Sequence, residues 1–159
     1  MVISQSTDSI IQKIWNILEM IPDPEIPVIN IIELGIVRNV AFENDRAIVT
    51  ITPTYSGCPA MDMISVDIRI NLEKEGFIDP IINQIISPPW TTDWMTDKAK
   101  DKLKDYGIAP PMDQRYRTIQ CPQCDSDNVE LMSQHGSTPC KALYRCKNCL
   151  EPFDYFKCH

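Results

Sequence analysis

The chain has 159 residues, 43% hydrophobic and 23% charged, enough apolar material for one ordinary domain or for a smaller domain plus a module. Its net charge of −7 is uneven: residues 1–113 hold 9 basic against 17 acidic side chains, and the remainder holds 6 against 5. An acidic body argues against nucleic acid and anionic membranes as partners. No apolar run has transmembrane length, and the N-terminus lacks the basic and apolar regions of a signal peptide, so a cytoplasmic location is expected.

Residues 8–20 read as a helix. Ile10, Ile11, Ile14, Trp15, Ile17 and Leu18 recur with helical period, and Thr7 or Asp8 is placed to cap them. The helix stops in a loop with three prolines, IPDPEIP at 21–27. Its acids, Asp23 and Glu25, are either hydrogen-bonding or metal-facing groups, or simply solvated carboxylates at a helix stop. An apolar run at 28–34 follows, interrupted by Asn30 and Glu33 and broken by Gly35. Residues 36–43 and 46–52 read as two strands joined by a turn at Asn44-Asp45. The second strand is nearly continuous and β-branched, as expected of a central strand buried on both faces.

That strand runs into TPTYSGCPAM at 52–61, and a helix over 59–75 runs out of it. Met61, Ile64, Ile68 and Leu72 form the apolar face of this helix, and Gly76 suits its C-terminal cap. Pro59 suits a first helical position, so the Cys58 thiol lies near the orphan N–H groups and positive dipole end. That placement favours a presented thiolate; the alternative is a small buried residue at a tight turn. A strand is expected at 81–86, after Pro80.

Trp90 and Trp94 bracket a segment with Asp93, which reads either as a partner surface or as core packing. A helix follows to about residue 106, capped by Thr92 or Asp93. Its alternating lysines and aspartates read as a solvated face. Residues 112–118 form a short polar linker.

Six of the seven cysteines fall between Cys121 and Cys158. Cys121/Cys124 and Cys146/Cys149 form two C-x-x-C knuckles with 21 residues between them. Two knuckles complete a tetrahedral sulfur cage, with zinc the default occupant and iron or an iron–sulfur cluster the alternative. A segment of ~40 residues buries too little core to stand alone, so the metal supplies much of its folding energy. Apolar segments at 129–132, 142–144 and 153–156 suit three short ribbon strands. Cys140 and Cys158 are surplus: either extra ligands, with His135 and His159 nearby, or a buried thiol and a loosely held tail.

The motifs DPEIP at 23–27, ELGIV at 33–37, SGCP at 56–59 and PPW at 88–90 resemble the small α/β domain of SufT-like iron–sulfur cluster assembly factors. WTTDWM at 90–95, YGIAPP at 106–111, GST at 136–138, CKALYRC at 140–146 and EPFDYFKC at 151–158 resemble the PaaD family, accessory proteins encoded with the bacterial phenylacetyl-CoA ring epoxidase. The resemblance covers nearly the whole chain, and the final His159 departs from it. It implies an α+β protein: a small mixed α/β iron–sulfur-assembly-type domain over 1–112, then a β-rich zinc ribbon over 113–159. It also implies a role in maturing or supporting the epoxidase, with subunits of that complex or its Fe–S reductase as partners. In the family, the cysteine matching Cys58 is the proposed metal or cluster contact, and the acids matching Asp23 and Glu25 line the same region. One cysteine cannot hold a cluster, so a homodimer, a client ligand or nearby carboxylates must complete any transient iron or Fe–S site. The chain has only His135 and His159 and no Glu-x-x-His helix motif, which points to an accessory component rather than a catalyst on its own.

Overall fold

The computed structural model describes residues 6–113 and 117–157. Cys158 and His159 lie outside the described residues. The chain divides into two compact units, Met1–Trp90 and Thr91–His159. The sequence-based boundary at 112/113 lies well inside the second unit.

In the first unit, α1 (Thr7–Glu19) is capped by Ser6, whose side chain accepts from the Ser9 N–H at 3.4 Å. The cap falls one residue before the expected Thr7 or Asp8, because Ser6 is still extended (φ −61°, ψ 146°). Ile14 and Leu18 are fully buried. The 28–34 run ends in a single closed turn. Asn30 Oδ1 accepts from the Glu33 N–H at 2.8 Å, and Glu33 Oε2 accepts from the Asn30 N–H at 3.1 Å, a reciprocal capping box. The turn ends at Gly35 (φ 80°), where Gly35 N–H donates to the Ile32 carbonyl and Ile36 N–H to that of Ile31. Those two bonds are the Schellman pattern, which needs a residue at positive φ.

Strands β1 (Val37–Glu43) and β2 (Arg46–Ile51) pair antiparallel, with Glu43 opposite Arg46. Asn44 and Asp45 both take positive φ, as a two-residue hairpin turn requires. Helix α2 (Ala60–Lys74) then crosses to β3 (Ile81–Gln84), which pairs parallel to β2. The sheet order is β1-β2-β3. Helix α1 packs on β1 and α2, and α2 also packs on β3. Strand β2 is central, as expected, but only one face is fully buried: Ala47, Val49 and Ile51 are inside, while Ile48 and Thr50 are half-buried.

In the second unit, a 3-10 turn at Thr92–Trp94 precedes α3 (Asp97–Asp105). Thr96, rather than Thr92 or Asp93, caps α3 by accepting from the Ala99 N–H at 3.1 Å. The sheet order is β4-β7-β6-β5, from β4 (Ile108–Ala109), β5 (Val129–Ser133), β6 (Lys141–Cys146) and β7 (Pro152–Phe156). Strands β5, β6 and β7 form the antiparallel ribbon, and β4 adds parallel to β7. This pairing explains the early division of the chain: residues 108–109 belong to the ribbon sheet. The α3 face is not wholly solvated. Lys100 is buried and its ammonium pairs with the Asp113 carboxylate, the buried-and-paired arrangement that a charge off the surface requires. The ribbon core joins Ala109, Ala142, Phe153 and Tyr155 to Cys121 and Cys146. The Tyr144 ring stacks on Phe153 (centroids 6.0 Å apart) and meets Tyr155 edge-on (5.6 Å).

Candidate functional site

The first candidate is the loop between β2 and α2. Cys58 N–H donates to the Tyr55 carbonyl at 3.3 Å, and Gly57 takes φ 77°, so the chain turns sharply just before the helix. Cys58 is half-buried. Its thiol pKa is raised, contrary to the expected activated thiolate. Burial is the largest cause, and the charges of Glu25 and Asp23 add to it. The Ala60 N–H at the helix start and the Tyr55 hydroxyl both pull the other way and lose. The helix-entry argument therefore found a real effect that burial, the alternative reading of Cys58, outweighs. Tyr55 is a contact to Cys58 that sequence reasoning overlooked, and its position three residues before Cys58 in a tight turn was the available signal.

The same charges show that the proline loop and Cys58 share one neighbourhood. Asp23 is 4% exposed, which removes the reading of a solvated carboxylate. Its Oδ1 accepts from the Glu25 N–H at 2.9 Å and the Ile26 N–H at 2.8 Å, and its own N–H donates to the Ile29 carbonyl at 2.9 Å. Asp23 thus builds the loop from inside, as an Asx turn. Glu25 is half-buried and lines an open groove of about 250 Å³ with Pro24, Pro59, Ala60 and Met63. Thr52, at the foot of the loop, is buried, and its hydroxyl has no hydrogen-bond partner among the described residues.

The second candidate is the sulfur cage. The Sγ atoms of Cys121, Cys124, Cys146 and Cys149 all lie within 4.8 Å of one another. Cys121–Cys149 and Cys124–Cys146 are each 3.6 Å apart. Zn–S bonds of about 2.3 Å in a tetrahedron put the sulfurs about 3.8 Å apart. The four residues fit a structural zinc.

The two knuckles repeat one design. Cys121 N–H donates to the Ser126 carbonyl and Cys146 N–H to the Glu151 carbonyl, each at 2.9 Å. Asp125 and Leu150, each just after the second cysteine, take positive φ (60° and 67°). Backbone N–H groups aim at the sulfurs: Asn148 and Cys149 donate to Cys146 Sγ at 3.4 and 3.5 Å. Chiefly through the Cys149 N–H, the Cys146 thiol is drawn down to about 6. At Cys149 the Glu151 N–H lowers the pKa, but desolvation and the neighbouring sulfurs of Cys121, Cys124 and Cys146 push it up to about 12. A bound dication would hold all four as thiolates.

The remaining candidates scatter. Cys140 is buried apart from the cage, with its sulfur 3.0 Å from Thr138 Oγ1. Cys158 lies outside the described residues. Trp90 is 3% exposed and its indole N–H donates to the Leu34 carbonyl at 3.0 Å, so it is a core residue of the first unit and not a partner surface. Asp93 is exposed and Trp94 half-buried, both in the second unit. Among the described residues no helix is long and apolar enough to cross a membrane.

Two family models match the chain. Residues 11–75 match an iron–sulfur cluster assembly protein, and residues 110–157 match the PaaD zinc beta ribbon domain. The chain is 46% identical over 93% of its length, and 93% of the relative's, to an Escherichia coli K12 protein named as a putative 1,2-phenylacetyl-CoA epoxidase component. It is 37% identical over half its length, and 76% of the relative's, to an Fe-S protein maturation auxiliary factor of Porphyromonas gingivalis. A solved Bacillus anthracis domain of unknown function, DUF59, matches 62% of the chain and 94% of its own with TM-score 0.58 and 31% identity.

Proposed function

From the premise that this chain belongs to the PaaD family, we propose that it is an accessory factor for a multicomponent phenylacetyl-CoA 1,2-epoxidase in aerobic phenylacetate degradation. It assists assembly of an iron–sulfur or iron centre through Cys58, and its partners are subunits of the epoxidase complex or its Fe–S reductase. The observation that carries this reading is the nearness of Cys58, in the β2–α2 loop, to the charges of Glu25 and Asp23 in the proline loop. A lone cysteine at rest gains nothing from those acids, since they hold its proton on. A divalent iron reverses that sign: the carboxylates then favour the cation, and the thiol gives up its proton to bind it.

Iron is cargo in this scheme. One thiolate is too few for a cluster, which needs about four thiolate ligands, so the client supplies the rest and the site holds iron only in transit. The ribbon is a separate zinc-stabilised unit. The test is anaerobic reconstitution with ferrous iron and sulfide, followed by visible absorption and metal analysis. Wild type takes up iron beyond its ribbon metal, and Cys58→Ala does not. Equal uptake by the two proteins removes Cys58 from the role.

The raised Cys58 pKa favours a second reading, a docking component of the epoxidase complex without metal transfer, because an unactivated thiol suits a structural position. In that case Cys58→Ala leaves epoxidase activity in cells intact, while disrupting the ribbon cage abolishes it.

A further inference from the structure

Helix α2 is apolar on two sides. One side carries Met61, Ile64, Ile68 and Leu72 into the core. The other exposes Met63, Val66 and Ile70, which remain 56%, 53% and 42% accessible. Their spacing of i, i+3 and i+7 makes a continuous stripe of two turns, about 10 Å long. Burial of the core does not require these residues, and a solvated helix face normally carries polar ones. The stripe runs directly into the groove lined by Pro24, Glu25, Pro59, Ala60 and Met63, because Met63 belongs to both. The groove, at about 250 Å³, has room for one large apolar side chain.

Charge selects the occupant. The first unit carries 12 acidic against 5 basic residues. Asp62 and Glu73 border one edge of the stripe, with Arg69 beyond them; Asp67 and Lys74 border the other. Arg69 also faces Asp79 at 3.6 Å, in a cluster that Arg46 joins. Glu25 stands at the groove. Two copies of this surface would bring like charges together, whereas a helix flanked by lysines or arginines would pair with them.

We propose that the outer face of α2, from the groove beside Cys58 along Met63, Val66 and Ile70, is the docking surface for a basic amphipathic helix of the client protein. Its apolar stripe lies on that of α2, one large side chain enters the groove, and its basic flank meets Glu25, Asp62 and Glu73. This deepens the accessory-factor reading and rests on it for the identity of the client.

The probe is a fluorescent sixteen-residue helical peptide with leucines at i, i+3, i+4 and i+7 and lysines on both flanks, titrated into the full-length zinc-loaded protein. A matched peptide carries glutamates instead of lysines. The lysine peptide binds wild type at least tenfold more tightly than the glutamate peptide. The double variant Val66→Ser/Ile70→Ser weakens it at least tenfold with circular dichroism and melting unchanged. Glu25→Gln weakens it less, and raising the salt weakens it further. Cys58→Ala binds the peptide as wild type does, so the docking surface and the transfer site fail separately. Any of three results overturns the proposal: no binding of the lysine peptide at 100 μM protein, equal binding of the two peptides, or equal binding by the double variant. A wild-type dimer that the double variant converts to monomer also overturns it, by making a second copy the occupant.

Discussion

Removing the Asp23 carboxylate tests whether the proline loop is built from inside. Asp23→Ala strands two N–H groups that its Oδ1 now satisfies at 2.9 and 2.8 Å. They are not equivalent. Ile26 is 1% exposed, so its N–H has little access to water and the full loss, about 2 kcal/mol for a charged acceptor, falls on stability. Glu25 is half-buried, and water recovers part of its bond, leaving about 1 kcal/mol. The total is about 3 kcal/mol, which in a unit of this size lowers the melting temperature by roughly 12–24 °C. Asp23→Asn keeps a side-chain oxygen in place and loses only the charge, so it costs about 1 kcal/mol or less. The assay is urea and thermal unfolding of the full-length zinc-loaded protein, followed by tryptophan fluorescence, to which Trp15 and Trp90 of the first unit contribute alongside Trp94. The reasoning fails if Asp23→Ala lies within about 0.5 kcal/mol of wild type, or if Asn is as damaging as Ala.

The Cys58 thiol should alkylate over a pH range above that of a cysteine in an unfolded peptide, because burial and the nearby carboxylates hold its proton on. Removing one negative neighbour favours the thiolate, so Glu25→Gln moves the profile down while leaving the larger, burial-driven part in place; iodoacetamide rates mapped by peptide mass spectrometry read both. The cage should hold a single zinc, and Cys146→Ser or strong chelation should erase amide-exchange protection across β5–β7, since structural zinc supplies on the order of 10 kcal/mol to such a unit. Gly136→Ala drives a Cβ into Asp154 Oδ1 and to 3.1 Å from Lys141 Cβ, where Ser137 already donates to the other Asp154 oxygen at 2.9 Å. It should cost the zinc-loaded second unit about 1–3 kcal/mol, measured by denaturant unfolding.

The cage was legible because ligand spacing in sequence encodes ligand geometry in space: two C-x-x-C turns placed all four sulfurs within 4.8 Å. The strands and helices were legible from apolar period, and their ends were off by one residue at Ser6 and by three or four at Thr96, because caps depend on backbone angles. The short turn after Asn30 was hidden, since an apolar run of that length fits strand or helix equally. Three features needed coordinates because they depend on partners distant in sequence. Trp90 is fixed by Leu34, Lys100 is buried against Asp113, and β4 pairs with β7. The sign of the Cys58 shift was out of reach for the same reason. The helix start is local, but the burial that decides the sign, and the smaller push from acids more than thirty residues earlier, come from the packed fold.

The place of β7 has a consequence for the growing chain. Translation releases all four sulfurs by Cys149, yet the strand lying between β4 and β6 spans Pro152–Phe156. A chain cut after residue 150 would carry every ligand while its sheet lacks an inner strand. Metal content is therefore a poor certificate of a finished second unit. A chain cut between Cys149 and Pro152 would carry the four zinc ligands on a sheet with two unpaired edges, a substrate for proteolysis.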